Sequence, residues 1–180
     1  MPSRAAIGIL LALAAGGAVR ASDQVPGETQ SKPILLRGGD LYTVSQGVLG
    51  GTDLLFEHGT IRTIRKGIEP PAGAEVLDVR GKRVYPGLIA PYSQIGLIEI
   101  GAVRATDDQD ELGDVTPEVA AHTAYNPDSE VIPTVRAHGI TTVQVVPRGS
   151  LIRGLTFLVN LDGWTKEDAA IELVDGLQLS

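Results

Sequence analysis

Arg83-Val84-Tyr85-Pro86-Gly87-Leu88-Ile89-Ala90-Pro91-Tyr92-Ser93-Gln94 is the stretch whose reading decides the fold. A continuous apolar run such as Leu88-Ile89-Ala90 suits a strand buried on both faces, as in parallel sheets covered by helices. Pro86-Gly87 breaks the run before it is long enough for a helix. Downstream, Ile140-Thr141-Thr142-Val143-Gln144-Val145-Val146 is the clearest β-branched strand in the chain. Between them, residues 128–138 read as a helix with acids at its start and Arg136 and His138 at its end. Pro133 sits awkwardly in that helix, and Gly139 fits its C-terminal cap. A helix feeding a strand in this way predicts β/α alternation from residue 81 onward.

Upstream the character differs. Ile34-Leu35-Leu36-Arg37, Leu41-Tyr42-Thr43-Val44, Thr52-Asp53-Leu54-Leu55-Phe56, Ile61-Arg62-Thr63-Ile64 and Val76-Leu77-Asp78-Val79 are short apolar segments. Gly- and Pro-bearing turns separate them, which predicts a small antiparallel sheet unit over residues 34–80. So short a unit cannot bury a large core alone, and packs on something else. Ahead of it, residues 22–33 read as a polar, loose linker.

Residues 1–21 have the pattern of a secretory signal peptide. Arg4 precedes an uncharged run from Ala5 to Val19, and Val19-Arg20-Ala21 offers small or β-branched residues at the inspected positions. The run is shorter than the ~20 apolar residues that span a bilayer. The expectation is an exported protein, periplasmic or secreted, with no stable membrane span after cleavage.

The whole chain has 180 residues, with 15 Lys+Arg against 22 Asp+Glu and a net charge of -7. That balance excludes a nucleic-acid partner, which needs a basic face to displace counterions. Hydrophobic residues at 43% and charged residues at 21% allow a packed core. The absence of Cys removes disulfides, thiolate metal sites and a cysteine nucleophile.

Several segments taken together resemble the opening of the amidohydrolase superfamily. They are Ile34-Leu35-Leu36-Arg37-Gly38-Gly39-Asp40-Leu41-Tyr42, Glu57-His58-Gly59-Thr60-Ile61, Val76-Leu77-Asp78-Val79-Arg80-Gly81-Lys82, Val84-Tyr85-Pro86-Gly87-Leu88-Ile89 and Gly139-Ile140-Thr141-Thr142-Val143. They stand in family order, and the nearest branch is the exported, imidazolonepropionase-like one. The resemblance implies an α/β fold with a small β-sandwich, followed by the first β/α units of a TIM-type (β/α)8 barrel. On that basis residues 34–80 belong to the sandwich and 81–180 to the start of the barrel. A full barrel takes ~250 residues, so about two or three β/α units fit here and the barrel is incomplete. The expectation is therefore a truncated portion of a longer protein.

In the family the strand after Ile89 continues with an acid and a His-x-His pair that holds a divalent metal, commonly zinc. Here Ala90 occupies the acid position, and Tyr92 and Gln94 occupy the two histidine positions. A phenol and a neutral amide are poor ligands for a hydrolytic metal. No metal ligand and no catalytic residue is therefore assigned, and no cofactor is expected in this chain. The Ala90-Pro91 step and the Ala102-Val103-Arg104-Ala105-Thr106 stretch are similar to members with a substituted strand, so the loss reads as a lineage trait. Tyr92 and Gln94 alternate with Ser93 and should share one face, pointing into the barrel mouth as substrate-facing candidates. Arg148, in the loop after the next strand, joins them because barrel enzymes keep their active sites on that face. Ser93 lacks the surroundings of a nucleophile.

His58, His122 and His138 are the only histidines and have no metal-motif spacing, so surface or capping roles are expected. The acidic run at 107–118 lacks the EF-hand pattern and reads as a solvated loop. Trp164 reads as a packing anchor. The family chemistry implied is hydrolysis of non-peptide C–N bonds, for example in cyclic amides, with a small-molecule ligand. This chain alone is expected to be inactive. The alternatives are a non-catalytic binding or scaffold protein on the same fold, or a self-standing secreted β-rich module. The oligomeric state is not legible.

Overall fold

Two sheets follow one another along the chain, and the computed structural model describes residues 25–180 of it. The signal segment expected at 1–21 lies outside the described residues. The first sheet contains β1 (Ile34–Thr43), β2 (Gly47–Glu57), β3 (Thr60–Arg65), β4 (Glu75–Asp78) and β5 (Arg83–Val84). Its order is β3-β2-β1-β4, with β5 also on β1. The β2–β3 turn is tight because His58 and Gly59 both adopt positive φ, 51° and 69°, the geometry that matches strand twist. Asn, Asp and Gly are the usual residues there, and His58 is the only non-glycine with positive φ among the described residues.

The antiparallel expectation for residues 34–80 is corrected in one respect. β1 and β2 are antiparallel, and so are β2 and β3, but β4 and β5 run parallel to β1. The segment through Pro70-Pro71 carries the chain back across the sheet, so that Ile34 pairs with Glu75 and Arg37 with Asp78. Leu35, Leu55 and Ile68 form the small core. Asp53 is buried beside it and accepts from Gly38 N at 2.8 Å and from Ile68 N at 2.9 Å. One carboxylate thereby satisfies two backbone donors at the β1 bulge and at the start of the crossover.

The second sheet has order β6-β7-β8-β9, from β6 (Leu88–Ser93), β7 (Ile140–Val145), β8 (Ile152–Asn160) and β9 (Ala170–Leu179). β6 and β7 are parallel, as the sequence predicted for a strand–helix–strand unit. The connection carries α1 (Ala121–Ala124) and α2 (Val131–Ala137). α2 covers less than the 128–138 expected. Asn126 Oδ1 takes the Asp128 N–H and Ser129 Oγ takes the Val131 N–H, so turn chemistry delays the helix. It ends as read: His138 Nδ1 lies 2.7 Å from Thr134 O, and Gly139 has φ of 88°.

After β7 the β/α alternation stops. β8 pairs antiparallel with β7 and β9 antiparallel with β8, so the described residues hold one β/α unit and then a meander. A four-residue helix, α3 (Lys166–Ala169), capped by Thr165 Oγ1, links β8 to β9. Phe157, Val159, Val143, Val145 and Leu161 meet Ile132, Ala121 and Tyr125 to form the larger core. Full burial of a side chain such as Phe157 contributes about 1.5–3 kcal/mol.

Two further expectations are corrected. Leu88 and Ile89 are 58% and 66% exposed, at the start of β6, the edge strand of its sheet among the described residues. Trp164 is 61% exposed and anchors no core. Within the stretch read as a linker, Gly27 and Gln30 are held by hydrogen bonds. Gly27 N donates to Asp162 Oδ1, while Gln30 donates to Phe56 O and accepts from Gly59 N.

Candidate functional site

The carboxyl ends of the parallel strands β6 and β7 open onto one rim, where ligands gather in sheets of this kind. Ser93 closes β6, its carbonyl accepting from Val146 N at 2.8 Å and its Oγ from Ile95 N at 3.1 Å. Those bonds give the hydroxyl a turn-forming role. Ala90 pairs with Val143 and Ser93 with Val145, so β6 spends three residues where β7 spends two. This bulge corrects the expected alternation. Ala90 and Ser93 take the register of the core-facing valines, Tyr92 stands at the surface, and Gln94 lies past the end of the strand.

Tyr92 and Gln94 consequently do different things. Gln94 Nε2 reaches Val146 O at 3.4 Å and ties the end of β6 to β7. Tyr92 is 51% exposed, and its Oη accepts from Arg153 Nη1 at 3.0 Å. Arg153 is further held by Ser150 O at 3.4 Å and Ser180 Oγ at 3.2 Å. Arg148 is exposed and turns toward the acidic loop, where its N–H meets Gln109 O at 2.5 Å and its guanidinium meets Gln109 Oε1 at 3.3 Å. Tyr92 and Arg153 therefore form one pair, with Arg148 held separately.

Arg153 is the residue that sequence reasoning missed. It lies sixty-one positions from Tyr92, and its approach depends on β8 returning antiparallel beside β7. The only signal was a second arginine soon after Arg148. Further along the same sheet, Gln144 Nε2 donates to Asp175 Oδ2 and Thr142 Oγ1 to Asn160 Oδ1. These pairs place polar groups beside Ile89 and Leu158 on that sheet.

The floor below the rim is built by Gly96 and Tyr125. Asn126 N donates to Gly96 O at 2.8 Å, and burial pushes the Tyr125 phenol up to about 12. Its ring packs edge-on against Phe157 at a centroid distance of 5.2 Å. His122 also leans on Phe157, with a buried Nδ1 that lacks a hydrogen-bond partner. It therefore takes neither the surface nor the capping role expected, whereas His58 is exposed in its turn. The acidic loop is largely exposed as read, with Arg104 reaching Asp110 at 3.9 Å.

The donors at the end of β6 do not fit a hydrolytic divalent metal. Ala90 offers none, the Gln94 amide is turned to a carbonyl, and the Tyr92 oxygen already faces a guanidinium. A cation there would meet a fixed positive charge about one hydrogen bond away. Among the described residues, no group of three or more His, Cys, Asp or Glu gathers elsewhere. No helix among them is long and apolar enough to cross a membrane.

Over 81% of its length the chain matches the crystal structure of an amidohydrolase from Thermotoga maritima MSB8, with a TM-score of 0.75 and 28% identity. The match covers 38% of that protein. A dihydroorotase of Trichlorobacter lovleyi is 43% identical over 56 residues, which are 31% of this chain and 13% of that enzyme. Amidohydrolase tasK of Hapsidospora irregularis is 26% identical over 133 residues, 68% of this chain and 14% of the relative. The chain thus spans only about an eighth of the length of these curated relatives. No protein-family model matches it. The fold and these relatives support a relationship to the amidohydrolase superfamily.

Proposed function

We propose that this chain carries the opening part of an exported, imidazolonepropionase-like amidohydrolase-family protein, and that its own residues contact ligand without holding a metal. The family chemistry is hydrolysis of a non-peptide C–N bond, as in a cyclic amide. Residues 34–80 serve as part of the small β-sandwich, and 81–180 as the start of the catalytic domain. The single observation that carries this reading is the end of β6. There the chain reaches the ligand-bearing rim with a phenol held by Arg153 where the family has imidazoles. With no metal to acidify a water, these residues position a ligand and do not generate a nucleophile.

The alternative, a binding or scaffold protein on the same fold, is favoured by the same Tyr92–Arg153 pair, a recognition element with no acid–base partner beside it among the described residues. Metal analysis and hydrolase assays on the full-length gene product separate the two. Hydrolysis of cyclic amides, with any bound metal carried outside residues 25–180, supports the enzyme. Absent hydrolysis with retained ligand binding supports the scaffold. A zinc ion bound stoichiometrically by Tyr92 and Gln94 would overturn both. Export is tested by the mass of the secreted protein, which should begin at Ser22.

A further inference from the structure

Trp164 is the only tryptophan of the chain, and it stands 61% exposed on a groove of about 700 Å³. Two distant segments make the walls: Val25, Gly27 and Glu28 on one side, Asp162, Trp164 and Asp168 on the other. Gly27 N donates to Asp162 Oδ1 at 3.2 Å, so the lead-in of the chain is already fastened along this groove. Asp162 is committed to that bond and to Arg136, at 2.9 Å. Glu28 and Asp168 have no ion-pair partner among the described residues, and no acceptor among them takes the Trp164 indole N–H. A half-open indole beside two unpaired carboxylates suits a short chain end with a cation at its tip.

We propose that Ser22, the amino terminus created by signal cleavage, seats in this groove, with its α-ammonium at Glu28 and Asp168 and residues 22–24 against the Trp164 ring. The site rests on the reading of residues 1–21 as a cleaved signal. Ser22 lies three residues ahead of Val25, the first described residue, and that length of extended chain reaches about 10 Å. Residues 22–29 contain no Lys or Arg, so the α-ammonium is the one cation this segment can bring. The tether at Gly27 makes closure intramolecular, so individually weak contacts suffice. Before cleavage position 22 has no free ammonium, and the groove takes its occupant only after export. Processing thereby fastens the front of the chain to the connection between β8 and β9.

The test is the acylation rate of the Ser22 α-amine at pH 7 in the full-length gene product beginning at Ser22, beside a free Ser-Asp-Gln peptide. Two carboxylates that raise the α-amino pKa by one unit should slow the reaction about tenfold. Glu28→Gln with Asp168→Asn should restore the peptide rate while the unfolding temperature holds. Should the double variant fail to fold, Glu28→Gln alone decides, and should recover part of the rate. Removal of residues 22–24 should also make Trp164 more open to acrylamide quenching, its signal isolated by subtracting a Trp164→Phe variant. An α-amine as reactive as the peptide's, a slowed rate that both variants leave unchanged, or quenching indifferent to residues 22–24 overturns the site. The mass of the secreted protein is read separately. A start elsewhere than Ser22 sinks the cleavage reading, and the product made to begin at Ser22 still decides the groove.

Discussion

Gly96 lies directly beneath the ring of Tyr125: a Cβ at position 96 would come within 2.5 Å of two ring carbons. Gly96 also has φ of 77°, a conformation that costs other residues about 1–2 kcal/mol. Gly96→Ala combines that strain with overpacking and should destabilise the protein by about 3 kcal/mol. Denaturant unfolding checks it, and a loss below about 1 kcal/mol would mean that the ring moves aside without cost.

Tyr125 gives the fold an alkaline limit. Its phenol is raised from 10.0 to about 12 by burial, so the folded state favours the neutral form. The stabilisation is fully present below pH 10 and is lost as the pH rises toward 12. Tyr125→Phe should flatten the stability curve over that window and leave it unchanged near neutrality.

Asp78 acts at the acid end. The Arg80 guanidinium beside it lowers its carboxyl from 3.8 to about 2. Its contribution is present above 3.8 and is lost as the pH falls through about 2. The pair is fully exposed, so Asp78→Asn should remove only a small, salt-sensitive part of the acid transition, measurable by comparing unfolding at low and high ionic strength.

Asp53 should be the costliest polar residue in the first sheet to remove. Asp53→Ala leaves the Gly38 and Ile68 N–H groups without their carboxylate and should cost about 3 kcal/mol. Asp53→Asn keeps one good acceptor and should cost less. The ordering of the two variants in urea unfolding is the readout.

Added zinc should not raise the unfolding temperature of this protein by way of residues 90–94, since a ligand that binds the native state stabilises it by mass action. Thermal scans with zinc and with a chelator should superimpose in a Tyr92→Phe, Gln94→Ala background and in the unsubstituted protein alike. A zinc-induced rise that the double variant abolishes would assign a metal to this strand end.

Much of the framework was readable from local chemistry. The turn at His58-Gly59 and the helix stop at His138-Gly139 follow from residues within a few positions of each event. That Tyr92 and Gln94 carry no imidazole is plain in the letters themselves. The site was half legible, because the residue that completes it was not. Arg153 looks like any loop arginine until β8 brings it back to Tyr92.

The sequence by itself determined which residues turn the chain at His58-Gly59 and His138-Gly139, and that a phenol and an amide follow Ile89. Those depend on backbone sterics and side-chain type, which act over one or two turns of chain. The tertiary structure decided which way each strand is paired, the bulge that parts Tyr92 from Gln94, the tie of Gln30 to the first sheet and the exposure of Trp164. These depend on which distant segments share a buried face, and a local period is equally compatible with parallel or antiparallel neighbours.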